Sequence, residues 1–245
     1  MRTLFFVDDL PKTVGQIYTF DNEDALHAIR VLRTGPGEIF WLSDGNGSFS
    51  TVKAIEVAKK SMQCEVIESE FQEPLDIEYT VIQALPKGDR LKECAGLLTE
   101  AGADRIVFWS SARSIGKADK TLDKLDVTVR EASKQARRFR IPEIIGPLTT
   151  AQVIDEIART DIAVLFHESA TSKLSAITAP TVKKALIIIG PEGGITDDEL
   201  EAFTASGAKI ALMGRPIFRS AHAGIAGLAA VQTLLKSWSS STLFL

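Results

Sequence analysis

Two patterns of apolar spacing divide the chain near residue 72. Residues 1–71 carry short β-type runs at Leu4–Val7, Glu38–Leu42, Ser48–Ile55 and Met62–Ser69. Turn signals punctuate them, at Gly35-Pro36-Gly37 and Asp44-Gly45-Asn46-Gly47. Asp-Gly-Asn-Gly between two apolar runs predicts a hairpin, because these residues accept the positive φ of a tight turn. One short helix fits Glu23–Val31. The expected unit over 1–71 is a small β-barrel, with Glu70–Pro74 as the linker that follows.

From Glu78 onward apolar runs alternate with helical periods. Strands are expected at Tyr79–Leu85, Arg105–Trp109, Ile162–His167, Ala185–Ile189 and Ala208–Met213. Helices are expected at Arg90–Ala101, Thr121–Arg138, Thr150–Arg159, Asp197–Ser206 and Ala221–Ser237. Thr196 and Glu199 stand in capping-box spacing, and Gly207 closes that helix. Alternating strands and helices, with strands apolar on both faces, predict a parallel α/β sheet covered by helices over 72–245.

Composition narrows the class. The chain has 245 residues, 45% hydrophobic and 24% charged, which excludes disordered and collagenous classes. Its apolar runs are far shorter than the roughly 20 residues of a membrane span. Asp8 and Asp9 interrupt the amino-terminal segment before a signal-peptide core can form. Cys64 and Cys94 are far apart, which predicts buried thiols in a reducing cytoplasm. Three histidines and no Cys cluster argue against a structural metal site. The net charge is −4, so any surface for nucleic acid must be a local basic patch.

Three features carry candidate chemistry. The first is Gly190-Pro191-Glu192-Gly193-Gly194, where a buried strand ends and a capped helix begins. Ligands of open α/β sheets bind at the carboxyl ends of strands, and glycine lets backbone amides approach them closely. No Lys follows, and the spacing is not Gly-x-Gly-x-x-Gly, so a phosphate cradle is disfavoured. A plain turn remains the bland reading. The second is Leu212-Met-Gly214-Arg-Pro-Ile-Phe-Arg219, which also leaves a strand and enters a helix. Arg219 suits recognition of a phosphate or carboxylate, and His222 lies in the same segment. The helix that follows is rich in Ala and Gly and is smooth enough to pack closely, within the chain or across a dimer seam. The third feature is basic: His27, Arg30 and Arg33; then Arg130, Lys134, Arg137, Arg138 and Arg140; then Arg113 with Lys117. A charge run usually marks a solvated face. Three of them beside a small barrel suggest nucleic-acid binding, since Lys and Arg drive it by neutralising phosphates.

Taken together these residues resemble a known family. Ile189-Gly-Pro-Glu-Gly-Gly-Ile-Thr and Leu212-Met-Gly-Arg-Pro-Ile-Phe-Arg219 are similar to the two carboxy-terminal motifs of the SPOUT (α/β-knot) RNA methyltransferases. His27-Ala-Ile-Arg-Val-Leu-Arg33 resembles the amino-terminal signature of one branch, the ribosomal RNA small-subunit methyltransferase E family. Lys87–Arg90, Thr99–Gly102, Arg113-Ser114, and Glu131, Ala132, Gln135 and Arg138 follow the same pattern in order along the chain. The last motif departs from it: Pro216 replaces an Arg, and Ala221-His222 replaces a Glu-Thr pair.

The resemblance implies a PUA-like barrel, a trefoil-knotted parallel-sheet domain, S-adenosylmethionine as donor and a homodimer. It implies methylation of N3 of one uridine near the 3′ end of 16S ribosomal RNA; the large structured target and the modest basic surface favour the assembled 30S subunit as substrate. The loops His167–Glu168, Gly190–Gly194 and Leu212–Arg219 would hold the cofactor, with Pro191, Glu192, Gly193 and Gly214 among them. Arg219 would stabilise charge on a uracil carbonyl oxygen, and Glu192 or His222 would accept the N3 proton. His27, Arg30, Arg33, Arg113, Lys134, Arg137 and Arg138 would contact RNA. Two alternatives stand: a related enzyme acting on transfer RNA or ribose 2′-hydroxyls, and a non-catalytic RNA-binding assembly factor.

Overall fold

The computed structural model describes residues 2–87, 90–114, 122–177 and 181–237. Lys117, Thr121, and Gly88 and Asp89 of the Lys87–Arg90 stretch lie outside the described residues. The chain separates into two compact units, Met1–Pro74 with Ser133–Ile141, and Leu75–Ala132 with Pro142–Leu245.

The first unit is a five-stranded sheet of β1 (Leu4–Phe6), β2 (Ile17–Phe20), β3 (Ile39–Ser43), β4 (Ser48–Val57) and β5 (Met62–Phe71), in the order β1-β3-β4-β5-β2. β1 runs parallel to β3 and the other pairs are antiparallel. β1 and β2 are the outermost strands, yet the rings of Phe5 and Phe20 lie 5.5 Å apart. The sheet therefore curls until its edges share one core with Phe40, Val52, Met62 and Ala25. That shared core gives the unit its barrel character. β2 is absent from the sequence reading because it leaves only Phe20 buried, so its alternation is weak. The helix expected over Glu23–Val31 is shorter: α1 (Glu23–His27) is capped by Asn22 and passes into a π-helical turn, Ala28–Leu32, that ends on Arg33 at φ 59°.

The Asp44–Gly47 turn joins β3 to β4 as the sequence predicts. Asp44 Oδ1 accepts from the amides of Asn46 and Ser48 at 2.8 and 3.2 Å, and Gly45 and Gly47 take positive φ. The same turn receives Ser133–Ile141, which a division at residue 72 does not include. The Gly47 amide donates to the Phe139 carbonyl at 2.9 Å, and the Phe139 ring stacks on Phe49 at 3.8 Å. The strand expected to stop at Ser69 continues through Glu70 and Phe71, since Phe71 pairs with Ser48. Arg140 covers the Phe71 ring at 5.1 Å and donates to the Gln72 carbonyl at 2.8 Å. The expected linker is thus held near its start by Arg140, 68 positions beyond Gln72 in sequence.

The second unit is a six-stranded, all-parallel sheet of β6 (Glu78–Ala84), β7 (Arg105–Trp109), β8 (Glu143–Leu148), β9 (Ile162–Phe166), β10 (Lys184–Ile189) and β11 (Lys209–Ala211), in the order β11-β9-β10-β6-β7-β8. Its helices are α2 (Arg90–Glu100), α3 (Leu125–Ala136), α4 (Thr150–Ala158), α5 (Asp197–Ala205) and α6 (Ser220–Leu234). β9 is buried along its whole length, and β10 at every position but the first. That is the signature of a sheet covered on both faces. β8 was not expected as a strand, because Gly146 and Pro147 break its pattern. Pro is tolerated there because β8 is an edge strand. Among the described residues no helix is long and apolar enough to cross a membrane.

Candidate active site

β10, β9 and β11 are neighbours and parallel, so the segments leaving their carboxyl ends emerge side by side. Those segments are Gly190–Gly194, His167–Glu168 and Leu212–Arg219, the three loops singled out from sequence. The His167 amide donates to the Ala211 carbonyl at 3.1 Å, which ties the β9 and β11 exits together. His167 Nδ1 stands 2.8 Å from Ser169 Oγ within its own turn.

The glycines after β10 have three different physical reasons. A Cβ on Gly190 would lie 2.6 Å from Ile195 Cγ1, and one on Gly193 would lie 3.1 Å from Arg113 Cβ. Gly194 has φ of +76°, a conformation that side chains disfavour. The Arg113 guanidinium donates to the Gly193 carbonyl at 3.2 Å, so Arg113 braces this loop. Glu199 is buried at the first turn of α5. It accepts from the Ala112 amide at 2.8 Å, from the Thr196 amide and hydroxyl at 3.1 and 3.0 Å, and from the Thr150 hydroxyl at 3.3 Å. One carboxylate thereby joins the capping box of α5 to the loop after β7 and the start of α4.

On its other side the Gly190 carbonyl accepts from the Ser220 hydroxyl at 2.9 Å. Ser220 Oγ in turn accepts from Gln83 Nε2 at 2.8 Å. Gln83 is fully buried, and among the described residues its Oε1 has no partner; leaving a buried acceptor unsatisfied costs about 1–3 kcal/mol.

At the rim, Glu192 Oε1 receives long contacts of 3.5 Å from Arg90 Nη1 and from the Lys87 amide. His222 Nε2 lies 3.1 Å from Glu93 Oε1. Arg90 and Glu93 are one turn apart on α2, so the two candidate proton acceptors are both engaged by the first turn of that helix. The replaced pair has split fates: Ala221 is buried, whereas His222 is exposed beside Glu93. Arg219 is exposed at the N-cap of α6 with extended backbone. Gly214 and Leu212 are exposed, and Ile217 and Phe218 are 84% and 47% exposed. The smooth face of α6 packs inside the chain. A Cβ at Gly224 would meet Leu98 and Gln83, and one at Gly227 would meet Phe166. Sequence reasoning did not find Gln83, Ser220 or Glu93, and saw Glu199 only as a cap. A polar residue inside an apolar strand, as Gln83 is in β6, was the available signal.

The basic residues fall into different settings. His27, Arg30 and Arg33 are exposed at the end of α1 and on the π-helical turn of the first unit. Lys134 lies in the same unit but is largely buried, with its ammonium 2.6 Å from Asp24 Oδ1. Arg137 and Arg138 are half-buried past the end of α3, Arg137 at φ 54°. Arg113 is exposed in the second unit, beside Gly193. Among the described residues no group of three or more His, Cys, Asp or Glu is placed to hold a metal.

Comparison with known proteins places the chain. Residues 73–232 match the model of an RNA methyltransferase domain, and residues 20–67 that of an RNA methyltransferase PUA domain. A Mycobacterium bovis protein named ribosomal RNA small subunit methyltransferase E is 34% identical over 97% of this chain and 94% of its own length. The Bacillus subtilis protein of that name is 26% identical over 93% of this chain and 94% of its own. A crystal structure of ribosomal RNA small subunit methyltransferase E from Neisseria gonorrhoeae, bound to S-adenosyl methionine, superposes with a TM-score of 0.85. It is 25% identical and covers 96% of this chain and 98% of that one. The chain belongs to the RNA methyltransferases and, within them, to the ribosomal RNA small subunit methyltransferase E family.

Proposed function

We propose that the chain transfers a methyl group from S-adenosylmethionine to N3 of one uridine near the 3′ end of 16S ribosomal RNA, in the assembled 30S subunit. The observation that carries this is the side-by-side exit of three loops at the carboxyl edge of β9, β10 and β11, one of them a glycine cradle braced from both sides. The family's name and its donor-bound structure from Neisseria gonorrhoeae supply the donor and the class of RNA. The resemblance of His27–Arg33 and the later motifs supplies the nucleotide.

The residues present suit such a donor. The absent Cβ at Gly190 and Gly193 lets Ile195 and Arg113 pack against the loop, Gly194 turns it at positive φ, and the exposed residues Glu192 and Gly214 offer backbone groups to a zwitterionic ligand. S-adenosylmethionine, when bound, supplies a methyl group on a positively charged sulfur. The work left to the protein is alignment, which supplies several kcal/mol when reacting atoms are held in line, and removal of the N3 proton. Arg219, exposed at the start of α6, stabilises negative charge on a uracil carbonyl oxygen as the proton leaves. Glu192 or His222 accepts that proton; general-base help of this kind is worth roughly 10²–10⁴-fold. His27, Arg30 and Arg33 hold RNA phosphates on the first unit, with Arg137 and Arg138.

The experiment mixes the protein and methyl-labelled S-adenosylmethionine with small subunits from cells that lack the modification. Bulk transfer RNA and naked 16S RNA run in parallel, and the labelled nucleotide is then mapped. Label at N3 of a single uridine in intact subunits is the expected result. Label in transfer RNA, or on a ribose hydroxyl, would replace the substrate. Bound donor with no transfer to any RNA would favour the non-catalytic reading.

A further inference from the structure

We propose that Gln83 and Ser220 form a buried positioning pair that sets the shape of the Gly190–Gly194 loop and of the Arg219 segment together, and through them the affinity for the methyl donor. The inference rests on reading that loop as the donor cradle. Gln83 sits one residue from the end of β6, in register with Ile189, the residue before Gly190. Its Nε2 donates to Ser220 Oγ at 2.8 Å, and that hydroxyl donates to the Gly190 carbonyl at 2.9 Å. A hydroxyl has a single proton. With that proton on Gly190, an amide N–H is what its free lone pair needs, and Gln83 provides one.

The two ends of this chain of hydrogen bonds are the two motifs of the site. Pro191 has no N–H, so the only hydrogen-bonding group of the Gly190–Pro191 peptide is the Gly190 carbonyl. Holding that carbonyl fixes the plane from which the amides of Glu192 and Gly193 project. At the other end Ser220 directly follows Arg219, whose carbonyl accepts from the amides of His222 and Ala223 at 2.9 Å each. One hydroxyl therefore ties the exit of β10 to the start of α6.

The orphaned oxygen of Gln83 marks this as a functional choice. Gln83 Oε1 is buried without a partner among the described residues and lies 3.0 Å from where a Cβ on Gly224 would stand. Met or Leu would occupy much the same volume with no polar atom to desolvate. For packing alone an apolar side chain would serve better. What the amide adds is a donor to Ser220 and a second, longer contact to its neighbour's carbonyl, Ala84, at 3.2 Å.

The test compares wild type with Gln83→Met, Ser220→Ala, Ser220→Thr and the Gln83→Met/Ser220→Ala double variant. Three readouts are taken: S-adenosylmethionine binding by calorimetry, Tm, and amide hydrogen exchange in peptides covering residues 187–196. Gln83→Met is expected to keep or raise Tm while weakening donor binding about tenfold, the scale of one hydrogen bond, and to speed exchange across 187–196. Ser220→Ala should lose as much affinity, the double variant no more than Ser220→Ala alone, and Ser220→Thr should retain binding. Unchanged affinity and exchange in Gln83→Met would overturn the proposal. So would affinity that falls only in step with Tm, since packing would then explain both. If wild type itself bound no S-adenosylmethionine, the donor reading would fall, and the exchange comparison alone would decide whether the pair holds the loop.

Discussion

The loops after β10 and β11 leave adjacent parts of one sheet edge and are built in opposite ways. Gly190–Gly194 is held at every side: by Ser220 on the Gly190 carbonyl, by Arg113 on Gly193, by the Glu199 capping box at its exit, and by Ile195 packed under Gly190. Leu212–Arg219 is exposed from Gly214 to Arg219, and Ile217 projects almost fully into solvent. The two loops divide the labour. A loop whose geometry is fixed before binding costs little to order around a ligand, which suits a donor cradle. An open loop that ends on one exposed cation suits a surface that closes over a macromolecular substrate.

The comparison breaks first at Arg219. Its backbone is set by the α6 N-terminus while its side chain is exposed, so Arg219→Ala should leave Tm unchanged and lower turnover roughly 10²–10³-fold, the cost of removing one stabiliser of developing charge. A variant within twofold of wild type in single-turnover transfer would remove Arg219 from the chemistry.

Glu199 is the matching test on the braced loop. Glu199→Ala leaves the Ala112 amide and the α5 capping groups without their acceptor. It should cost about 2–4 kcal/mol of stability, read as a fall in the denaturant midpoint, with weaker donor binding. Glu192→Ala, seven residues earlier but exposed and held, among the described residues, by contacts of 3.5 Å, should change stability by no more than about 0.5 kcal/mol. Equal losses in the two variants would contradict the distinction.

A parallel contrast lies in the first unit. Arg30 and Arg33 are exposed, whereas Lys134 is paired with Asp24 and largely buried. Each phosphate contact adds about 0.7–0.9 to the slope of log affinity against log salt. Arg30→Ala/Arg33→Ala should therefore lower that slope by roughly 1.5 with stability kept. Lys134→Ala should instead lose about 1–3 kcal/mol of folding stability with little change in slope, because it leaves Asp24 unpaired.

These contrasts also show what a sequence discloses. The α/β alternation, the hairpin at Asp44–Gly47 and the α5 capping box were legible because each is local: period, turn residue and cap lie within a few positions. Both exit loops were legible as glycine clusters between a strand and a helix. The role of Ser133–Ile141 was not, since the apolar character of Phe139 means nothing until Phe49 and Trp41 stand against it. Lys134 and Arg30 look alike as letters, and only the position of Asp24 separates them. Gln83, Ser220 and Glu199 act through partners from 30 to 137 positions away, a distance at which spacing carries no signal.

The smallest expected effect lies at the other end of the same sheet and sharpens the comparison by isolating it. Asp161 precedes β9, and its Oδ2 accepts from the amides of Lys183 and Lys184 at 2.8 Å each, at the amino-terminal edge. Those two backbone hydrogen bonds, helped by the nearby Lys184 charge, hold its carboxyl below the usual carboxylate range. A group whose folded-state pKa is depressed contributes stability that is present above its unfolded pKa and is lost as pH falls through the folded one. Asp161→Asn keeps an acceptor and the same shape but has no charge to titrate. The gap in Tm between wild type and Asp161→Asn should therefore be constant near neutral pH and close as pH drops below about 4. Donor affinity, measured at neutral pH, should be identical in the two proteins, because the amino-terminal edge of a parallel sheet lies away from the loops at its carboxyl ends. A gap that persisted at low pH would show that the amide contacts, not the charge, carry the stabilisation. A change in donor affinity would mean that the sheet transmits strain along its strands, and that the braced loop is less independent of its scaffold than its local hydrogen bonds imply.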